Sequence, residues 1–218
     1  MTDAAPLPGR RPQAGSAEGK TLSGRIRFTA PVRPTLRAVV QSVELLLEPE
    51  AERGVVRVWE ALSEAGLPSQ ASHTAPSNRP HTTLVALSDL AAETESAVAA
   101  AVRGRLPVDA VWGDVTLFGR GPWVLVRLLE PSVGMRRLQA ALADACGVPD
   151  DSLSSPVRWT PHVTLARRVA RADVDRAVAV ATTLAQREAP AGMRVVASAV
   201  RRWDGSRRVE WEVGRAQT

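Results

Sequence analysis

Before residue 38 the apolar positions follow no period. Pro6, Pro8, Pro12, Pro31 and Pro34 lie among Gly, Ser and Arg, which predicts a mobile leader over residues 1–37 that takes no part in chemistry. The regular pattern starts with Val39–Leu47, an apolar run with the length and β-branching of a strand. Pro49 then opens a helix on which Val55, Val58, Trp59 and Leu62 recur at helical spacing, and Gly66-Leu67-Pro68 ends it. A loop rich in Ser, Pro and Asn over Pro68–Pro80 leads into a short strand, Pro80-His81-Thr82-Thr83-Leu84-Val85. Ser88 or Asp89 is the expected cap of the next helix, whose apolar face holds Leu90, Val98, Ala101 and Val102.

Strands are expected over Ala110–Phe118 and Trp123–Leu129, joined by the turn Gly119-Arg120-Gly121-Pro122. Ser132–Cys146 reads as a helix with Met135, Leu138 and Leu142 on one face and Gly147 in the position of a C-terminal cap. After a second Ser/Pro loop comes Pro161-His162-Val163-Thr164-Leu165-Ala166, a strand of the same kind as the first. Asp173 and Asp175 fall in the first turn of the following helix, where carboxylates complement the helix dipole. Met193–Val200 and Arg208–Val213 flank a turn at Trp203-Asp204-Gly205-Ser206. The last of these strands alternates Val209, Trp211 and Val213 against Arg208, Glu210 and Glu212.

Set side by side, the two halves use one order twice: a His-bearing strand, a helix, then a two-stranded hairpin. Such a repeat predicts an α+β fold over residues 38–218, a single bilobal domain with two antiparallel-rich sheets, outer helices and a cleft at a pseudo-twofold. In a strand, residues two apart share a face, so His81 projects with Thr83 and His162 with Thr164. If the two strands meet, two imidazoles and two hydroxyls converge on one small volume. One imidazole can take a proton from the attacking water while the other gives one to the departing ribose oxygen, and the hydroxyls can hold the charge spreading over phosphorus. A lone histidine on a strand reads as a buried group satisfied by hydrogen bonds. Two His-x-Thr-Leu sequences among only three histidines are a different matter, a coincidence of roughly one in ten thousand at average composition. His73 lacks this context and is expected in solvent.

Composition narrows the classes. The apolar fraction is 44% and the charged fraction 23%, which suits a globular chain. No apolar run is as long as a membrane-spanning helix, and Arg10-Arg11 is followed by Pro12-Gln13-Ala14-Gly15 with no apolar stretch, so neither a membrane span nor an export signal is read and a cytoplasmic location is expected. Cys146 is the single cysteine, which excludes a disulfide framework and a thiolate zinc site; it reads as a small apolar residue closing a helix. The net charge is +5 and Lys20 is the only lysine, a balance that suits phosphate-bearing partners and that a GC-rich coding sequence would also produce. No His-x-x-x-His, cysteine pair or carboxylate cluster accompanies the motifs, so no metal and no cofactor is expected.

At Arg79-Pro80-His81-Thr82-Thr83-Leu84 and Trp159-Thr160-Pro161-His162-Val163-Thr164-Leu165-Ala166-Arg167 the sequence resembles the two-histidine phosphoesterases. Within them it resembles the bacterial proteins called 2′-5′ RNA ligase or RNA 2′,3′-cyclic phosphodiesterase. The resemblance runs from about Val39 to the end. It implies a bilobal fold, RNA ends or small nucleotides as partners, and a metal-independent reaction at a 2′,3′-cyclic phosphate or a 2′-5′ linkage, with ligation as a possible reverse direction and His81, Thr83, His162 and Thr164 as the catalytic set. It further implies a phosphate-binding role for Arg167. Strict alternation points that side chain away from His162 unless the strand ends near Ala166, and Arg168 is a substitute. Arg79 is a weaker substrate-binding candidate beside a surface-charge reading. Phe118, Trp123 and Trp159 are candidates to stack on a base, against a core reading for the tryptophans. The chain departs from the better-known members in its longer leader and in Val85-Ala86-Leu87-Ser88, which replaces an aromatic-and-glycine ending after the first motif. A monomer is expected. The rival readings are a non-catalytic module that holds a nucleotide or RNA end on the same fold, and a metal-dependent hydrolase.

Overall fold

Residues 40–217 are described by the structure, a computed structural model; the leader expected over residues 1–37 lies outside them. Seven strands and four α-helices follow in the order β1 (Gln41–Leu47), α1 (Pro49–Glu64), β2 (His81–Leu87), α2 (Glu95–Val102), β3 (Val108–Phe118), β4 (Trp123–Pro131), α3 (Val133–Ala145), β5 (His162–Val169), α4 (Val174–Glu188), β6 (Arg194–Asp204) and β7 (Val209–Arg215). The fold is α+β with every strand pair antiparallel. Two sheets were expected, but ladder bonds join all seven strands in the order β1-β2-β5-β4-β3-β6-β7. A further β1–β6 pairing closes six of them into a ring. The long β6 makes this possible: Arg194–Ala197 pairs with β3, and the rest of the strand lies between β1 and β7.

Local chemistry explains most boundaries. Pro49 sits in the first turn of α1, where a missing N–H costs nothing, and Val55, Val58, Trp59 and Leu62 are the buried stripe. Ser132 Oγ accepts from the Met135 amide at the start of α3, and Gly147 follows that helix at φ 61°, a conformation that suits glycine. Neither Ser88 nor Asp89 caps α2. Its chain first makes a single 3-10 turn, Ala92–Thr94, and the helix begins at Glu95 with no side-chain cap. The final turn also falls later than expected, at 205–208, because β6 runs on through Trp203 and Asp204 and the Asp204 carboxylate accepts from the Ser206 and Arg207 amides.

One row of buried side chains crosses the centre of the sheet: Leu45, Thr82, Val163 and Arg127, neighbours in register on β1, β2, β5 and β4. This face is roofed by helices. Arg127 donates to the Ala185 and Ala189 carbonyls at the C-terminal end of α4 and lies 4.3 Å over the Trp112 ring. Those partners suit a buried cation, and burial lowers its pKa to about 10.

Candidate active site

The register pair Thr82↔Val163 joins β2 to β5 and fixes the site. Antiparallel partners share a face and their chain neighbours point the other way. His81 therefore lies beside Thr164, and Thr83 beside His162, all four on the face opposite the helix-covered row. The two histidines stand on a diagonal of this arrangement, and the charge of the His81 ring is felt at His162.

Each ring is held in the same way. His81 Nδ1 lies 2.7 Å from the Arg79 carbonyl and His162 Nδ1 lies 2.7 Å from the Thr160 carbonyl. A carbonyl only accepts, so Nδ1 carries the proton in both rings and Nε2 is the nitrogen left for chemistry. Proline at position −1 of each motif keeps the preceding residue extended, which brings that carbonyl under its own histidine.

Just past each motif Thr the ladder slips by one residue. In β2 the shift leaves Leu84 as the extra residue opposite Val43 and Glu44, and in β5 Leu165 is the extra residue opposite Leu125 and Val126. The slip in β5 settles the direction of Arg167. The strand does not end near Ala166; it continues to Val169, but the bulge turns Ala166 to the helix side, paired with Leu125, and so puts Arg167 on the histidine side. Arg167 is exposed and its guanidinium lowers the pKa of His162. The matching position after the first motif is Ala86, so that motif is followed by no arginine of its own on this face. Arg168 is also exposed, at φ 58° beside the second slip in β5.

At both bulges a tryptophan takes the motif threonine's carbonyl. Trp59 Nε1 donates to Thr164 O at 3.0 Å from α1, and Trp159 Nε1 donates to Thr83 O at 2.8 Å. Trp159 is thus bound by its indole nitrogen to the backbone of the opposite motif and packs against the core. Phe118 meets His162 edge to face, with centroids 4.8 Å apart. Trp123 packs against the core, and His73 is exposed. Arg79 gives its guanidinium to Glu52 of α1 through two hydrogen bonds of 2.8 and 2.6 Å, so what it brings to the site is the carbonyl under His81.

Beside His81 lies a buried charge network that no motif in the sequence announces. Glu44 lies opposite Thr83 on β1, with Oε1 3.6 Å from His81 Nε2. Its carboxylate accepts from Ser42 Oγ and Arg201 Nε, both at 2.7 Å, and Arg201 also pairs with Glu210 of β7 and donates to the Ser77 carbonyl at 3.0 Å. Burial pushes the Glu44 carboxyl up, but the His81 ring, the Arg201 guanidinium and the Ser42 hydroxyl together hold it below its ordinary value. At His162 burial is the largest influence: it lowers the imidazole's pKa, the Thr160 carbonyl opposes this, and Arg167 and His81 lower it further. A lone carboxylate inside the apolar run Val43–Leu47 was the available signal for Glu44.

Among the described residues no group of three His, Cys, Asp or Glu side chains is placed to hold a metal ion. No helix among them is long and apolar enough to cross a membrane.

A sequence model of the 2′-5′ RNA ligase superfamily matches residues 45–207, and the chain belongs to this family of two-histidine phosphoesterases. Among solved structures, Escherichia coli LigT in its apo form superposes with a TM-score of 0.50 at 19% identity, covering 81% of this chain and 95% of that one. Usb1 from Kluyveromyces marxianus superposes with a TM-score of 0.49 at 10% identity, over 80% of this chain and 97% of that one. Its structure with uridine monophosphate gives 0.49 at 12% identity, over 81% and 98%. No curated protein sequence matches the chain.

Proposed function

We propose that the chain is a metal-independent phosphodiesterase of the cytoplasm that opens 2′,3′-cyclic phosphates or cleaves 2′-5′ linkages at RNA ends and in small nucleotides. The observation that carries this reading is the pair of rings on one face, each with Nδ1 held by the carbonyl two residues before it and Nε2 left to exchange a proton. Membership of the superfamily supports the same chemistry. In the hydrolytic direction one Nε2 takes a proton from water as the water oxygen bonds to phosphorus. The other gives a proton to the ribose oxygen as its bond to phosphorus breaks. Thr83 and Thr164 donate from their hydroxyls to the non-bridging oxygens, and Arg167 adds a guanidinium on the His162 side.

The test is a panel of 2′,3′-cyclic nucleotides with 2′-5′ and 3′-5′ linked dinucleotides, run in excess chelator with product analysis. Turnover of a cyclic phosphate or a 2′-5′ linkage is expected, and replacing His81 or His162 by Ala is expected to slow it by about a hundredfold or more. Binding without turnover on every substrate would overturn the reading in favour of a module that only holds nucleotides.

A further inference from the structure

The two histidines share their backbone anchor and differ in the charges around them. At His81 both ring nitrogens face acceptors: Nδ1 the Arg79 carbonyl at 2.7 Å, and Nε2 the Glu44 carboxylate at 3.6 Å. At His162 the one acceptor is the Thr160 carbonyl, and Nε2 has no carboxylate partner among the described residues. Glu44 cannot turn away. Its carboxylate is nearly solvent-free, fixed by Ser42 and Arg201, and Arg201 is itself held by Glu210 and the Ser77 carbonyl. We propose, on the phosphodiesterase reading above, that Glu44 is a positioning residue that divides the labour between the rings: it keeps both protons on His81, which gives Nε2–H to the departing ribose oxygen, and leaves His162 to take the proton from water.

The other charges around His81 fit this division. Arg201 of β6 approaches the ring from behind, with Nη2 3.5 Å from Nδ1; because Nδ1–H is committed to the Arg79 carbonyl, this contact is electrostatic and opposes the second proton. The opposition is blunted by the two glutamates, Glu44 from β1 and Glu210 from β7, that share the Arg201 guanidinium. Arg79, two residues before His81, is neutralised by Glu52, and His162 faces His81 from β5. The cluster of Glu44, Glu210 and Arg201 is therefore negative beside His81, whereas Arg167 is the charge beside His162. Proton balance is kept through the cycle. His162 ends with the proton from water and His81 loses one to the leaving group, and exchange with solvent restores both.

The experiment compares the pH dependence of kcat/KM for a nucleoside 2′,3′-cyclic phosphate in the wild type and in Glu44→Gln. The alkaline limb, where the acid loses its proton, should move to lower pH by about one unit, which is tenfold less activity on that side, with the acid limb in place. A uniform drop with both limbs unmoved would mean that Glu44 only supports the fold, and would overturn the proposal. A second readout needs neither turnover nor the variant: a ¹⁵N NMR titration of the wild-type rings should show His81 keeping both ring protons to higher pH than His162. The reverse order would overturn the assignment. The expected order in a protein that turns over no phosphodiester would sink the proposed function and leave the Glu44–His81 pairing intact.

Discussion

Replacing Trp59 by Phe tests how the motif strands are held. Trp59 is 4% exposed, and its indole N–H is the partner of the buried Thr164 carbonyl at 3.0 Å. Phenylalanine removes the donor and strands a buried acceptor, at a cost of about 1–3 kcal/mol. The smaller ring also leaves a void worth about 1 kcal/mol, on the scale of one or two buried methylenes. The sum is about 3 kcal/mol. Trp159→Phe removes the corresponding donor from Thr83, but that bond is only partly buried, so water can take the place of the indole and the cost should be about 1 kcal/mol or less. Urea unfolding followed by far-UV circular dichroism measures both. Trp59→Phe should be the weaker variant by about 2 kcal/mol, a factor of about 30 in the folding equilibrium. Turnover should also fall most in that variant, because the Thr164 hydroxyl rides on the released carbonyl's backbone. Equal stabilities, or a larger loss in Trp159→Phe, would refute the reasoning.

Arg167→Met should lower kcat/KM for a cyclic phosphate by about ten- to a hundredfold, the weight of one charge-assisted contact, while Arg168→Met changes it little; steady-state kinetics on both variants decide which arginine meets the phosphate. The Glu44 carboxyl lies below its ordinary value in the folded chain, so its contribution to stability is complete above the unfolded value near 4.5 and is lost as the pH falls through the folded one. Melting temperatures taken from pH 6 to pH 3 should therefore fall less steeply in Glu44→Gln than in the wild type. The Cys146 thiol is buried and pushed up to about 11 by that burial, so it should react with a disulfide reagent at pH 8 only after unfolding; rapid native labelling would contradict the packing.

Local patterns were legible where local chemistry decides the structure. The stripe Val55, Val58, Trp59 and Leu62, the proline that opens α1 and the glycine just past the end of α3 all stand as the sequence implied. So does the placement of both histidines on strands. What escaped is what depends on pairing partners. The alternation of β7 implies a buried face, yet Val209 and Trp211 are exposed, because among the described strands β7 is a sheet edge that pairs with β6 alone, and Trp211 lies beside the Arg202 guanidinium. The direction of Arg167 depends on a bulge that appears only against β4. Glu44 and Arg201 are far apart in the chain and meet only because β1 and β6 pair to close the ring. No periodicity in either segment could announce that contact. Trp59 was readable as core, but its second task, holding the Thr164 carbonyl, belongs to the packing of α1 on β5.

The central claim is that the His81 and His162 rings act on one phosphate as a unit. Its most direct test is a double-mutant cycle on kcat/KM for a 2′,3′-cyclic nucleotide, with His81→Ala, His162→Ala and the pair measured in chelator. Groups that share one transition state are strongly non-additive, so the double variant should be about as slow as either single one. Losses that multiply, or turnover that survives in both single variants, would contradict the account.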